Sequence, residues 1–108
     1  EAAAAAFAAD HGVYLIRKGH RTVAAAPDGR LAVNTTGNDG MAKGGSGDVL
    51  TGIILGLLAQ GAEPETAAVS GVFLHGTAGD LAAVYRSEES MIAGDITDML
   101  GKAFKQIK

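Results

Sequence analysis

The sequence predicts an α/β fold with about three strands, then a glycine loop and three helices. Short apolar runs of strand length fill the first third of the chain, and longer apolar runs with helical spacing fill the second half. A glycine-rich segment separates the two parts. The chain has 108 residues and is therefore one domain at most, and its 47% hydrophobic content is typical of a globular protein.

The first elements alternate between helix and strand. Alanine is the strongest helix former, so Glu1–Asp10 should be helical and should end at Gly12. Strands are expected at Val13–Ile16, buried on both faces, at Thr22–Ala26 and at Leu31–Thr35. The segment Pro27-Asp28-Gly29 favours a turn, because proline fixes φ and glycine tolerates positive φ. The second and third strands should therefore form a hairpin.

Three helices are expected after the loop Gly37–Asp48. They are Asp48–Gln60, Glu65–Arg86 and a last helix that runs from an N-cap at Asp95 to about Lys108. Gly52 and Gly56 lie four apart and should let another backbone approach the first of these helices closely. Three strands are too few for a full doubly wound sheet, so we expect a partial domain.

Charge and composition exclude several classes of function. The net charge of −3 gives no support for a basic face that binds nucleic acid. The chain has no cysteine, which excludes disulfides, thiol catalysis and cysteine zinc sites. The uncharged run Val49–Ala62 has 14 residues and is too short to span a bilayer. We therefore expect neither nucleic acid nor a membrane as a partner.

The segment Gly44-Gly45-Ser46-Gly47 is typical of an anion-binding loop. Glycines leave backbone N–H groups free to converge on one anion, and the helix that follows adds the positive end of its dipole. The alternative is a flexible linker or a plain helix N-terminus, although a linker would not lead into an apolar helix. The P-loop and the dinucleotide-binding fingerprint need other residues or a preceding strand, so neither motif matches.

Asp48 follows this loop directly. A carboxylate in the first turn of the helix suits a base that takes a proton from an attacking hydroxyl during phosphoryl transfer. The same residue type is equally typical of a helix N-cap.

Other polar residues have two interpretations each. Arg17, Lys18 and Arg21 place three cations at a strand end, where they suit nucleotide phosphates or form a solvated turn. Lys43 can reach a phosphate or point to solvent. His75 lies within an apolar helix and is expected in the core or in an interface.

Several segments resemble one family. Asn34–Ile54 resembles the signature of the ADP- or ATP-dependent NAD(P)H-hydrate dehydratases, which are ribokinase-like repair enzymes. Lys18–Thr22 resembles the family's nucleotide segment, and Leu74–Asp80 and Ala93–Asp95 fit its C-terminal helices. Asp39 stands where the family often has proline. Because family members are longer, the resemblance implies that residues 1–108 are the C-terminal part of a ribokinase-like domain.

The resemblance implies a repair reaction. A hydroxyl on the hydrated nicotinamide ring of NADH or NADPH is phosphorylated from ADP or ATP with Mg²⁺, and loss of phosphate restores the double bond; ADP is usual for bacterial members. Asp48 would be the catalytic base and would contact hydrated NAD(P)H. Implied nucleotide-binding residues are Lys18, Gly19, His20, Arg21, Thr22, Asn38, Asp39, Gly40, Met41, Ala42, Lys43, Gly44, Gly45, Ser46 and Gly47, with Gly45 to Gly47 as the anion hole and no metal site made by the protein.

Two alternatives stay open beside the dehydratase. A ribokinase-like kinase acting on a sugar or a vitamin would release a stable phosphoester, whereas a dehydratase releases free phosphate. A non-catalytic fragment that binds nucleotide or self-associates would show no turnover. The expected location is the cytoplasm. A homo-oligomer is also expected, because a partial domain exposes strand edges and apolar helix surface.

Overall fold

The computed structural model describes residues 2–17, 22–41 and 44–107. In chain order these form α1 (Ala2–His11), β1 (Leu15–Arg17), β2 (Val23–Ala25), β3 (Leu31–Val33), a 3-10 turn (Asp39–Met41), α2 (Ser46–Ala59), α3 (Pro64–Tyr85), α4 (Ala93–Asp98) and α5 (Leu100–Ile107). The expected α/β class, with strands before the glycine loop and helices after it, is confirmed.

The strands form an antiparallel sheet in the order β1-β2-β3. In the predicted hairpin, Val23 lies opposite Val33, and the N–H of Gly29 donates to the carbonyl of Ala26 at 3.0 Å. Gly29 has a φ of +90°, which glycine adopts without the steric cost of a side chain. The hairpin and its turn are therefore confirmed.

The turn of this hairpin is tied to α3 by charged side chains. Arg30 pairs with Asp28 and with Glu65, the second residue of α3. The backbone N–H and the guanidinium of Arg30 both donate to Asp28 and hold the pKa of its carboxyl below the usual value. The side chains of Arg30 and Asp28 are exposed and that of Glu65 is partly exposed, so solvent weakens these ion pairs.

β1 is less buried than the sequence predicts. Val13 and Tyr14 precede the strand and are exposed, while Leu15 and Ile16 are half-buried. The expectation of burial on both faces is therefore wrong. β1 lies at an edge of the described sheet and is covered by the alanines of α1, whereas all three residues of the central strand β2 are buried.

The helices after the glycine loop pack around α3, which contacts α2, α4 and α5. Their shared core contains Ile53, Leu74, Ala78, Ala82, Met91, Ile96 and Ala103. By length and composition α3 could cross a membrane, but 61% of its apolar window is buried inside the protein, and buried core helices have the same character. The sheet and α1 form a second packed unit beside this helical layer.

The close approach predicted for α2 occurs on α3 instead. A Cβ atom added at Gly52 or Gly56 would meet nothing within 4 Å, so that prediction is wrong. Both glycines line an open groove between α2 and α5. A Cβ at Gly71 of α3 would lie 2.6 Å from the Cγ1 atom of Ile54. The residue that permits close α2–α3 packing therefore belongs to the partner helix.

The predicted last helix is two helices, which are separated at Met99. The N-cap of α4 is Ile92, and Asp95 is the third residue of that helix. The prediction of Asp95 as N-cap is therefore wrong. Its carboxylate accepts the backbone N–H of Ile92 at 2.9 Å, as acidic side chains at the third helical position do.

Candidate functional site

The glycine loop ends at the N-terminus of α2. Gly45 is the N-cap, with φ +89° and ψ −13°, a left-handed conformation that favours glycine. The first intrahelical hydrogen bond runs from the N–H of Val49 to the carbonyl of Gly45 at 3.1 Å. The N–H groups of Ser46, Gly47 and Asp48 precede this bond and have no partner in the part of the chain that the structure describes. Such free N–H groups are what an anion binds at a helix start.

Asp48 lies in the first turn of this helix as its third residue. Because Gly45 is the N-cap and α2 begins at Ser46, two residues earlier than predicted, the N-cap interpretation of Asp48 is wrong. The side chain is exposed and makes no hydrogen bond to another described residue. A free carboxylate therefore lies within one helical turn of the uncovered N–H groups.

His75 of α3 holds the first residue of α2. Its Nε2 atom lies 3.0 Å from the carbonyl oxygen of Ser46 and 3.3 Å from the Ser46 hydroxyl, and both residues are buried. A carbonyl oxygen only accepts, so we assign the ring proton to Nε2. The Ser46 hydroxyl can then only accept from this nitrogen, which leaves its own hydrogen available to donate. The predicted core placement of His75 is confirmed.

Asp80, also on α3, holds the start of the loop. Its Oδ2 atom accepts the N–H of Gly37 at 3.0 Å, and its Oδ1 atom accepts from the Asn38 side-chain amide at 3.0 Å. The Asn38 amide also donates to the carbonyl of Gly79 at 3.1 Å, and its Oδ1 accepts the N–H of Gly40 at 2.9 Å. The Asn38 side chain is thus engaged inside the protein.

Two glycines of α3 let the loop lie directly on the helix. A Cβ at Gly76 would come 2.8 Å from the carbonyl carbon of Thr36, and a Cβ at Gly79 would collide with the side chain of Met41. The Met41 side chain packs toward the helical core. Any contact of Met41 with a nucleotide would therefore use its backbone.

The segment before α4 supports the loop from another side. A Cβ at Gly40 would lie 2.5 Å from the carbonyl oxygen of Glu88, and one at Gly45 would lie 3.3 Å from the Cβ of Ala93. Both ends of the glycine loop thus contact the stretch 88–93.

Part of the predicted nucleotide segment falls outside the described residues. These are Lys18, Gly19, His20, Arg21, Ala42 and Lys43, together with the side chain of Asp39. Thr22 is described, and it lines a cleft of about 390 Å³ between the sheet and α3 that also includes Asn34 and Phe73. Within residues 2–17, 22–41 and 44–107, no three histidine or acidic side chains lie close enough to hold a metal ion.

A model of the NAD(P)H-hydrate dehydratase family matches residues 1–102. The chain belongs to this family. It is 50% identical over 105 residues to a bifunctional NAD(P)H-hydrate repair enzyme of Moorella thermoacetica, covering 97% of this chain and 20% of that protein. It is 39% identical to the ADP-dependent (S)-NAD(P)H-hydrate dehydratase of Bacillus subtilis, covering 87% of this chain and 34% of that one.

A solved dehydratase has the same fold over this region. The crystal structure of the Bacillus subtilis ADP/ATP-dependent NAD(P)H-hydrate dehydratase, co-crystallised with ATP/Mg²⁺ and soaked with CoA, superposes with a TM-score of 0.93 at 38% identity. The match covers 98% of this chain and 39% of that chain. This member of the NAD(P)H-hydrate dehydratase family therefore spans well under half the length of the relatives it matches.

In this dehydratase-family chain, sequence reasoning missed the residues that hold the loop. Asp80 and Gly76 belong to a segment that resembles the family, but their type alone gave them no role. The available signal was an acidic side chain and repeated glycines inside an otherwise apolar helix. A buried acidic group needs a hydrogen-bond partner, and glycines permit a neighbouring segment to approach closely.

Proposed function

We propose that this chain carries the nucleotide-binding and catalytic-base part of an ADP- or ATP-dependent NAD(P)H-hydrate dehydratase, as the C-terminal part of a ribokinase-like domain over residues 1–108. One observation carries the proposal. Among the described residues, three N–H groups at the start of α2 have no partner, and the carboxylate of Asp48 in the same turn has none either.

The N–H groups of Ser46, Gly47 and Asp48 bind the phosphoryl group that is transferred. They need no side chain, and the positive end of the α2 dipole favours the negative charge there. The Ser46 hydroxyl adds a further donor, because His75 already occupies its acceptor side. Donors fixed in place before the reaction stabilise charge that develops on the phosphoryl oxygens.

Mg²⁺ fits this site as a companion of the nucleotide. The cation often binds through substrate phosphates with only one or two carboxylates, and the described residues offer no cluster of three. Phosphate oxygens held at the start of α2 would carry the cation. Bound there, Mg²⁺ would neutralise part of the phosphate charge.

Asp48 acts as the base. Its carboxylate takes the proton from the hydroxyl of the hydrated nicotinamide ring, and that oxygen forms a bond to the terminal phosphorus of ADP or ATP as the bond to the leaving nucleotide breaks. The C–O bond to the phosphate then breaks, inorganic phosphate leaves, and the adjacent ring carbon loses a proton to solvent, which restores the ring double bond. Asp48 suits this role because no described group competes for its oxygens.

The rest of the nucleotide lies along the loop and the sheet. Thr22 lines the cleft between the sheet and α3, whose volume of about 390 Å³ is in the range of small-ligand sites. We assign Lys18 to Thr22 and Asn38 to Gly47 to the nucleotide, with Asn38 and Met41 contributing through their backbone. We also propose that the protein is cytoplasmic and self-associates.

Turnover of hydrated NADH by the purified chain tests the proposal. With ADP or ATP and Mg²⁺, we expect recovery of the absorbance of the reduced nicotinamide together with release of one inorganic phosphate per turnover. A stable phosphoester on a sugar or vitamin alcohol would show a kinase instead. Nucleotide binding without turnover of any hydroxyl substrate would show a non-catalytic fragment.

A further inference from the structure

Asp80 occupies a position that calls for two acceptors. Both groups that face it are donors, the backbone N–H of Gly37 and the side-chain amide of Asn38, each at 3.0 Å. An asparagine at position 80 would accept one of these hydrogens and would turn its own NH₂ toward the other donor. A carboxylate is therefore the side chain that satisfies both contacts, and bonds to a charged acceptor are stronger than neutral ones.

The loop backbone that Asp80 contacts is held by hydrogen bonds from outside the loop. Gly37 has a φ of +105°, outside the usual range, and Gly40 is held by the Asn38 side chain that Asp80 orients. Asn38 also reaches the carbonyl of Gly79, so one helix supplies the carboxylate and the carbonyl that fix its amide. The start of the glycine loop is thus set by polar groups of α3.

We propose that Asp80 is a positioning residue for the nucleotide. It acts through Gly37 and Asn38 to keep the glycine loop in the conformation that presents its backbone to the phosphates. This inference rests on the proposed function above. Asp80 itself is half-buried, both of its carboxylate oxygens are engaged by the loop, and it takes no part in the chemistry.

The size of the effect follows from the population of the correct loop conformation. The apparent Kd rises in proportion as the binding-competent fraction falls. Loss of hydrogen bonds to a charged group is expected to reduce that fraction to about one tenth or less. We therefore expect the Kd for Mg-ADP and Mg-ATP to rise about 10-fold or more.

The experiment compares Asp80→Asn, Asn38→Asp and the double exchange Asn38→Asp/Asp80→Asn, with Asp10→Asn as a matched control on the exposed face of α1. In the double exchange, the new amide at 80 donates to the new carboxylate at 38, which still accepts the N–H of Gly40. The bond to the carbonyl of Gly79 is lost, and the carboxylate oxygen that replaces its donor repels that carbonyl, so recovery is incomplete. Each single variant instead sets two like groups against each other.

Two measurements are made on each variant. Hydrogen exchange of the Gly37 and Gly40 amides measures how well the loop conformation is held in the absence of nucleotide. The amides of the strands serve as an internal standard for folding. Calorimetry gives the Kd for Mg-ADP and Mg-ATP. We expect fast exchange and a Kd raised about 10-fold in both single variants, recovery to within about threefold in the double exchange, and no change in Asp10→Asn.

The outcomes separate the two proposals. Wild-type exchange at Gly37 and Gly40 in Asp80→Asn, or a double exchange as impaired as the single variants, would overturn the role of Asp80. A wild-type chain that binds no nucleotide, but whose exchange follows the expected pattern across the variants, would overturn the proposed function while supporting the positioning of the loop.

Discussion

At the scale of single residues, the carboxylate of Asp48 has no hydrogen-bond partner among the described residues. It lies in the first turn of α2, where Gly45 already occupies the N-cap position. A carboxylate in a first helical turn gains about 0.3–1 kcal/mol from the helix dipole. That modest gain can be separated experimentally from a role as base.

We expect Asp48→Asn to lower turnover of hydrated NADH by about 10²- to 10⁴-fold, the usual contribution of a positioned general base. Nucleotide affinity should hold or rise, because a negative charge beside the phosphates is removed. The free energy of unfolding should fall by no more than about 1 kcal/mol. Steady-state nicotinamide absorbance, calorimetry and chemical denaturation measure the three quantities.

Asp98→Asn is the matched control, since Asp98 is an exposed aspartate on α4. It should leave turnover and nucleotide affinity at wild-type values. Turnover of Asp48→Asn close to that of this control would contradict the assignment of Asp48 as base.

The N-cap interpretations of two aspartates show what residue type alone can settle. Asp48 and Asp95 were both consistent with an N-cap, and both are third residues of their helices. Aspartate is favourable at either position, because each brings a negative charge to the same helix end. Only the residue at which the helix begins distinguishes the two, and that depends on how the preceding loop packs.

At the scale of elements, the glycines of α2 and α3 have opposite roles. Gly52 is open to solvent on α2, whereas Gly76 of α3 lies against the backbone of Thr36. The sequence predicted α1, α2 and α3 within two residues at each end, but it predicted one helix where α4 and α5 form two. It also predicted the hairpin and its turn. The sequence could not show which glycines lie against a neighbouring segment, because that depends on which face of each helix is packed.

Gly52→Ala should raise the free energy of unfolding by about 1 kcal/mol, because alanine is the better helix former and its methyl group meets nothing. Gly76→Ala should lower it by about 1–3 kcal/mol, because the methyl group collides with Thr36. Urea denaturation measures both. Equal effects of the same sign at the two positions would contradict the packing of the loop on α3.

At the scale of the whole molecule, the sheet is small and large apolar side chains are exposed. Among described residues these include Leu55, Val84, Tyr85 and Ile92, each at least 60% exposed. The pairing of the second and third strands was predicted from the turn chemistry, but the position and the low burial of β1 were not. A short apolar run has the same sequence pattern in a central strand and in an edge strand. Its burial depends on which strands lie beside it.

The chain should self-associate. Light scattering is expected to give a mass above the 10.8 kDa of one chain, rising with protein concentration. Added sulfate should strengthen the association, because excluded salts favour apolar burial, whereas an association through ion pairs would weaken. A constant monomer mass across a wide concentration range would contradict this prediction.

The ties from α3 to both ends of the glycine loop also bear on conformational entropy. Asp80 and Asn38 fix the loop at Gly37 and Gly40, and His75 fixes it again at Ser46. Ordering one residue costs about 1–2 kcal/mol. These three residues meet that cost when the chain folds, so nucleotide binding does not bear it.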